Sequence, residues 1–211
     1  MTELETIAAE RSALVDRLSS LTDDDWQVPS LCRGWSVRDV LGHLVTPFVV
    51  SARTLLVTAA RERGVDAAMD VLARRIAERD PDDLLALLRQ HARSRFRPPG
   101  QPFGAPLTDA VVHSVDIRWS LGDVRADWGD PARLAPLLQY LTTRRARIAF
   151  LPGRRLAGLR LQASDQNWSS GTGAVVAGPS LSLAAAVLGR APAFDDLTGA
   201  GVAVPRQRTG A

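Results

Sequence analysis

From residue 3 to about residue 150 the apolar side chains of this sequence recur at helical spacing, and after Leu151-Pro152-Gly153 they begin to alternate. This change of period constrains the fold most. A 3.6-residue repeat buries one stripe of a helix, whereas a two-residue repeat buries one face of a strand. Leu4, Ile7, Leu14, Val15, Leu18 and Leu21 predict an amphipathic helix over 3–21. A loop over 23–35 leads to Ser36-Val37-Arg38-Asp39, a capping box. The helix it opens carries Val37, Val40, Leu41, Leu44, Phe48, Ala52 and Leu55 on one stripe. Residues 66–79 continue helical. Asp80-Pro81-Asp82-Asp83 starts another helix, to about Phe96, with proline at its first position and acids against its dipole. A further helix covers about 107–121 and stops at Gly122, and Asp130-Pro131 caps one that runs to about Phe150. Beyond the boundary, Leu156, Leu159, Leu161 and Ala163 predict a strand, 173–177 a second, 179–188 a helix and 201–204 a short last strand. The expected fold is α+β, with a helical domain at 1–150 and a small sheet-and-helix domain at 151–211.

Charge and cysteine content narrow the function classes. The isoelectric point of 10.2 would suit a nucleic-acid binder, yet the net charge is only +3. All 26 basic residues are arginine, which stays protonated at any useful pH and so raises the isoelectric point without a large field at neutrality. Arg74-Arg75, Arg93/Arg95/Arg97 and Arg144-Arg145-Arg147 lie beside acids and read as solvated helix faces, so nucleic acid is not an expected partner. No run of eighteen apolar residues is present to span a membrane. The acidic start has no apolar leader and Cys32 is the single cysteine, which together point to the cytoplasm.

The segment richest in chemistry is Asp109-Ala110-Val111-Val112-His113-Ser114-Val115-Asp116-Ile117. At 100° per residue, Asp109, His113 and Asp116 share one helix face. Val112 and Trp119 flank that face on one side, Ala110 and Ile117 on the other, while Ser114 and Arg118 point to the expected solvent side. A carboxylate in an apolar arc costs several kcal/mol or more unless it is paired or coordinates a metal. An Asp–His pair satisfying itself in the core meets that demand, and so does a metal ion held by residues at i and i+4. His43 favours the metal. It lies at the edge of the apolar stripe of its own helix, and Pro47 four residues on removes the partner of its carbonyl and should kink the helix. Two histidines and an acid on facing helices make a complete donor set for zinc or a similar divalent ion with a coordination position left open. His91, among Gln90, Arg93 and Arg95, is expected to be exposed and is excluded. Cys32 reads either as a small residue of a tight loop or as a thiol activated by Arg33 and the helix start. Trp26 and Trp35 read as packing residues or as walls of a pocket.

These residues also carry a resemblance. Trp26-x2-Pro29-Ser30-x-Cys32-x-Gly34-Trp35-Ser36-Val37-x-Asp39-x-Leu41-x-His43-Leu44 resembles the N-terminal signature of the mycothiol-dependent maleylpyruvate isomerase family, part of the DinB-like group of metal-binding four-helix bundles. Asp109-x3-His113-x2-Asp116-x5-Gly122 is similar to the family's second metal-bearing helix. Ala163-x-Asp165-x2-Trp168-x2-Gly171-x-Gly173, Gly178-Pro179, Gly189-Arg190 and Leu197-x-Gly199-x-Gly201-Val202 resemble its small C-terminal domain, related to sterol-carrier folds. The resemblance implies a DinB-like four-helix bundle holding zinc through His43, Asp109 and His113. Where the isomerase pattern has glutamate this chain has Asp109, one methylene shorter, so Asp116 is a candidate to assist or replace it. The resemblance further implies mycothiol or a similar thiol as cosubstrate and a small electrophile as substrate, in a monomeric or homodimeric chain. The reaction implied is cis–trans isomerisation or thiol transfer, with a metal-binding protein lacking turnover as the alternative. Mycothiol belongs to actinobacteria, whose GC-rich genomes would account for the missing lysines.

Overall fold

The computed structural model describes residues 2–123, 128–150 and 156–209. Two compact units emerge: Thr2–Phe96 with Asp109–Val124, and Arg97–Thr108 with Arg125–Ala211. Among the described residues no helix is long and apolar enough to cross a membrane.

The first unit is helical, comprising α1 (Glu3–Leu18), α2 (Asp23–Trp26), α3 (Val37–Val49), α4 (Ala52–Arg61), α5 (Val65–Ala77), α6 (Pro81–Gln90) and α7 (Gly104–Arg118) from Asp109 onward. Three of these helices start on capping boxes, Thr2 with Glu5, Thr22 with Asp25, and the expected Ser36 with Asp39. In each, the hydroxyl and carboxylate satisfy backbone N–H groups that the first turn leaves unpaired. Asp80 caps α6 with Pro81 at its first position, as expected. Helix α3 packs on α5 and α6, and α6 on α1. Their shared core joins Leu14, Leu18, Leu41, Leu44, Leu84, Leu88 and Ile117. Gly42 lets α3 approach α5 closely, since a Cβ there would lie 2.5 Å from the Ala73 carbonyl oxygen.

The stripe read as one helix over 37–55 is two. Pro47 lies inside α3, which ends at Val49, and Ser51 then caps α4 through the Thr54 N–H. The missing N–H of Pro47 deprives the last turns of a hydrogen bond, and Ser51 supplies a new start. Helix α4 buries none of its residues fully, and Leu56 and Val57 are exposed. Helix α7 begins and ends three residues earlier than expected, and a turn to Gly122 follows it. Its burial departs further from expectation. Ser114 is 2% exposed, and Arg118 is ion-paired with Asp123 at 2.9 Å rather than free in solvent. A helix apolar on nearly all sides is buried on nearly all sides.

In the second unit the stretch expected as one helix over 130–150 is a 3-10 turn (Pro131–Leu134, capped by Asp130), then α8 (Ala135–Leu141) and α9 (Arg144–Ala149). Thr143 caps α9, which explains the break. The sheet has the order β2-β1-β3, with β1 (Leu159–Ala163) antiparallel to β2 (Ser169–Gly171) and parallel to β3 (Ala174–Gly178). Leu159, Leu161 and Ala163 are buried while Arg160 and Gln162 face out, the alternation read from the sequence. Helix α10 (Ser180–Val187) packs on β1 and β3. The strand expected at 201–204 is not formed. One hydrogen bond reaches β3, from the Gly201 N–H to the Val175 carbonyl at 2.8 Å. The backbone then turns into α11 (Ala203–Thr209).

Candidate metal centre

The candidate site lies wholly within the first unit. Helix α7 supplies Asp109, His113 and Asp116, α3 supplies His43, and the loop between α2 and α3 supplies Cys32 and Trp35. Along α7, Asp109 and His113 are the partly exposed positions in an otherwise buried run from Gly104 to Ile117. Their side chains are 28% and 12% exposed, so the polar face is reached by solvent without being on the open surface.

His43, Asp109 and His113 converge. His43 Nε2 lies 3.3 Å from Asp109 Oδ1, and His113 Nε2 lies 3.6 Å from the same oxygen. The imidazole centroids are 4.7 Å apart, with the rings edge to face. One donor atom from each of the three residues fits within a span of 4.8 Å. Donors sharing a tetrahedral zinc at bonds of about 2.0–2.2 Å stand roughly 3.3–3.6 Å from one another. The observed separations thus suit a divalent ion without rearrangement of the backbone, and the shorter side chain of Asp109 does reach both imidazoles. His43 Nδ1 is buried with no hydrogen-bond partner among the described residues.

Two environments act on Asp109. Burial raises its carboxyl, but the hydrogen bond with His43 and the charges of His43, His113 and Arg11 outweigh burial and hold it at about 2. It is therefore ionised throughout the useful pH range. Arg11 is itself buried, donates to the carbonyls of His91 and Ala92 at 3.3 and 3.4 Å, and sits over the Phe48 ring. Sequence reasoning missed Arg11, although its place four residues after Ile7 and three before Leu14 puts it on the apolar stripe of α1. His91, expected to be exposed, is half-buried and stacked on Phe48 at a centroid distance of 4.6 Å, apart from the three converging residues.

Asp116 does not join that cluster. Its side chain is fully buried, and its Oδ2 lies 2.9 Å from His113 Nδ1 and accepts from the Cys32 thiol at 2.9 Å. Cys32 Sγ also lies 3.6 Å from His113 Nδ1. The loop is brought there by a backbone bond from the Leu31 N–H to the Asp116 carbonyl, 3.1 Å, and Gly34 takes the positive φ of 80° that closes its turn. Trp35 walls the site. Its ring stands 5.2 Å from His43, and its indole N–H donates to Asp70 at 2.5 Å. Arg74 bonds both Asp70 and the Gly34 carbonyl, pinning this loop to α5. Trp26 is buried in the core and takes no part.

Comparisons with known proteins agree with this architecture. Residues 7–101 match the model of the mycothiol maleylpyruvate isomerase N-terminal domain. No curated protein matches the sequence. Among solved structures, the crystal structure of the mycothiol-dependent maleylpyruvate isomerase is similar with a TM-score of 0.60 at 16% identity, over 94% of this chain and 91% of that one. A histidine-to-alanine mutant of that isomerase is similar at a TM-score of 0.58, with 16% identity and the same coverage of both chains. Residues 7–101 are thus similar to the N-terminal domain of the mycothiol-dependent maleylpyruvate isomerase family, and over nearly its whole length the chain has that isomerase's fold, a helical N-terminal part with a small sheet-bearing part.

Proposed function

We propose that this protein is a metal-dependent enzyme that uses a low-molecular-weight thiol, mycothiol or a close analogue, on a small electrophile. The reaction is a cis–trans isomerisation of the maleylpyruvate type or a transfer of the thiol. His43, Asp109 and His113 hold one divalent ion, zinc in the first instance. The observation that carries this reading is the convergence of two imidazole nitrogens on one carboxylate oxygen at 3.3 and 3.6 Å. A zinc held by three protein ligands keeps a position at which a thiol loses its proton near neutral pH, and that is the chemistry the ion supplies.

The chain's own residues account for the rest. Asp109 is already ionised, so no proton has to leave it before it can serve as a donor. The partial exposure of Asp109, His43 and His113 gives small molecules a route to the donor face. Trp35 covers His43 from one side and limits water there. Buried Arg11 adds positive charge on the Asp109 side, which favours an anionic substrate over a neutral one.

The test is a panel of cis-unsaturated diacids and simple electrophiles, each assayed with mycothiol and a substitute thiol on zinc-loaded protein. The expected result is a rate that needs thiol and metal together and falls at least about a hundredfold in His43→Ala, as loss of a group on which the reaction depends would give. No metal-dependent rate with any pair, from protein carrying zinc, would replace this reading by that of a metal-binding protein without turnover.

A further inference from the structure

We propose that Asp116 and Cys32 are positioning residues that fix the orientation of His113, presenting its Nε2 to the ion. This inference rests on the reading of His43, Asp109 and His113 as metal ligands. The two imidazoles of that set are not held alike. Among the described residues His43 Nδ1 is buried without a hydrogen-bond partner, whereas His113 Nδ1 stands 2.9 Å from a carboxylate oxygen. With Nδ1 engaged by Asp116, Nε2 is the ring nitrogen that faces Asp109, 3.6 Å from its Oδ1. Asp116 is fully buried, a location that costs several kcal/mol for a carboxylate unless its oxygens are bonded. Oδ2 also accepts from the Cys32 thiol, 2.9 Å away, delivered by a loop whose Leu31 N–H bonds the Asp116 carbonyl. Side chain and main chain of the same residue are thus tied to the loop, which holds the carboxylate against rotation away from His113.

Cys32, His113 and Asp116 also form a donor set of thiol, imidazole and carboxylate that could take a metal ion of its own. The geometry favours positioning. A zinc-bound sulfur and oxygen, at bonds of about 2.3 and 2.1 Å, stand roughly 3.6 Å apart in a tetrahedral site. The 2.9 Å between Cys32 Sγ and Asp116 Oδ2 is a hydrogen-bond distance, and one oxygen serves both donors. Removing such an outer carboxylate typically weakens metal binding by about 10–100-fold.

The test measures zinc affinity by competition with a chromophoric chelator, and the visible spectrum of the cobalt-loaded protein, for wild type, Asp116→Asn, Cys32→Ala, Cys32→Ser and His43→Ala. Asp116→Asn should bind zinc about 10–100-fold more weakly and shift the cobalt ligand-field bands, which loss of stability alone does not do. Cys32→Ala should weaken binding by a smaller factor, and Cys32→Ser, which restores a donor to Asp116, should recover it. Should Asp116→Asn fail to fold, the Cys32 pair decides, because alanine and serine differ there only in the hydrogen bond at issue. Affinities within about twofold of wild type for Asp116→Asn and Cys32→Ala, with His43→Ala unable to bind, would overturn positioning and leave the ligand set standing. Two zinc ions per chain in wild type and one in Cys32→Ala would overturn it in favour of a second site. Wild-type binding by His43→Ala would instead remove the ligand reading itself, and the positioning role with it.

Discussion

At the scale of single residues, the triad of His43, Asp109 and His113 illustrates how a carboxylate is kept ionised in a largely buried place. Burial works against the charge, and the hydrogen bond with His43 together with nearby positive groups reverses the balance, so the carboxyl titrates near 2. An aspartate in the unfolded chain titrates near 3.9. Because the folded value is the lower one, Asp109 adds stability above about pH 4 that is lost as pH falls toward 2. The contribution at neutral pH is at most about 3 kcal/mol, a shift of about two pH units converted at about 1.4 kcal/mol each. Acid titration of the metal-free protein should therefore show the stability difference between wild type and Asp109→Asn shrinking between about pH 4 and pH 2. A difference that stays constant over that range would show that Asp109 is not held by these neighbours. The residues of the triad were legible in the sequence because an i,i+4 pair inside an apolar arc, with a histidine at the edge of another stripe, has few explanations. Ser114 was misplaced by the same reasoning, which assumed that one side of α7 must meet solvent. The partnership of Cys32 with Asp116 could not be read at all, since 84 positions of chain separate the two and only the path of the folded loop joins them.

At the scale of elements, α3 is the helix on which the site depends, because it carries His43 and packs on both α5 and α6. Gly42 sets that packing. Its missing side chain admits the backbone of α5, where a Cβ would meet the Ala73 carbonyl oxygen at 2.5 Å and the Ala77 nitrogen at 2.9 Å. Gly42→Ala gains about 1 kcal/mol of helix propensity but forces two backbones apart, a strain of about 1–3 kcal/mol or more. Since the clash is with backbone atoms that cannot turn aside, we expect net destabilisation and a displaced His43. Denaturant unfolding should show a lowered midpoint for Gly42→Ala, with weaker zinc binding alongside. A midpoint at or above that of wild type would mean that α3 and α5 can separate freely. Long periodic elements such as α1, α3 and α6 were legible from their stripes and caps, and β1 from its alternation. Strand β2 was not, because Ser169-Ser170-Gly171 has no apolar pattern and is a strand only through its pairing with β1. Over 201–204, four alternating residues were too few to decide between periods, and a helix followed instead.

At the scale of the whole molecule, helical residues before about 150 and alternation after it were enough to place the chain in the α+β class. The motifs around Cys32-Arg33-Gly34-Trp35 and Asp109-x3-His113 pointed to the family that residues 7–101 match. Less legible was how the chain partitions into compact units. The segment Arg97–Thr108 groups with Arg125–Ala211, and α7 passes from one unit to the other between Thr108 and Asp109. Such grouping depends on which surfaces bury one another, and periodicity along a sequence does not encode that. The proposed function requires that His43, Asp109 and His113 together hold one divalent ion. The direct test is elemental analysis of the full chain, loaded with zinc and then freed of unbound metal, for wild type and for His43→Ala and His113→Ala. One zinc per chain in wild type and well under half an equivalent in each variant is the expected result, since two remaining ligands hold zinc poorly. Zinc absent from the wild type, or present at the same stoichiometry in all three proteins, would contradict it.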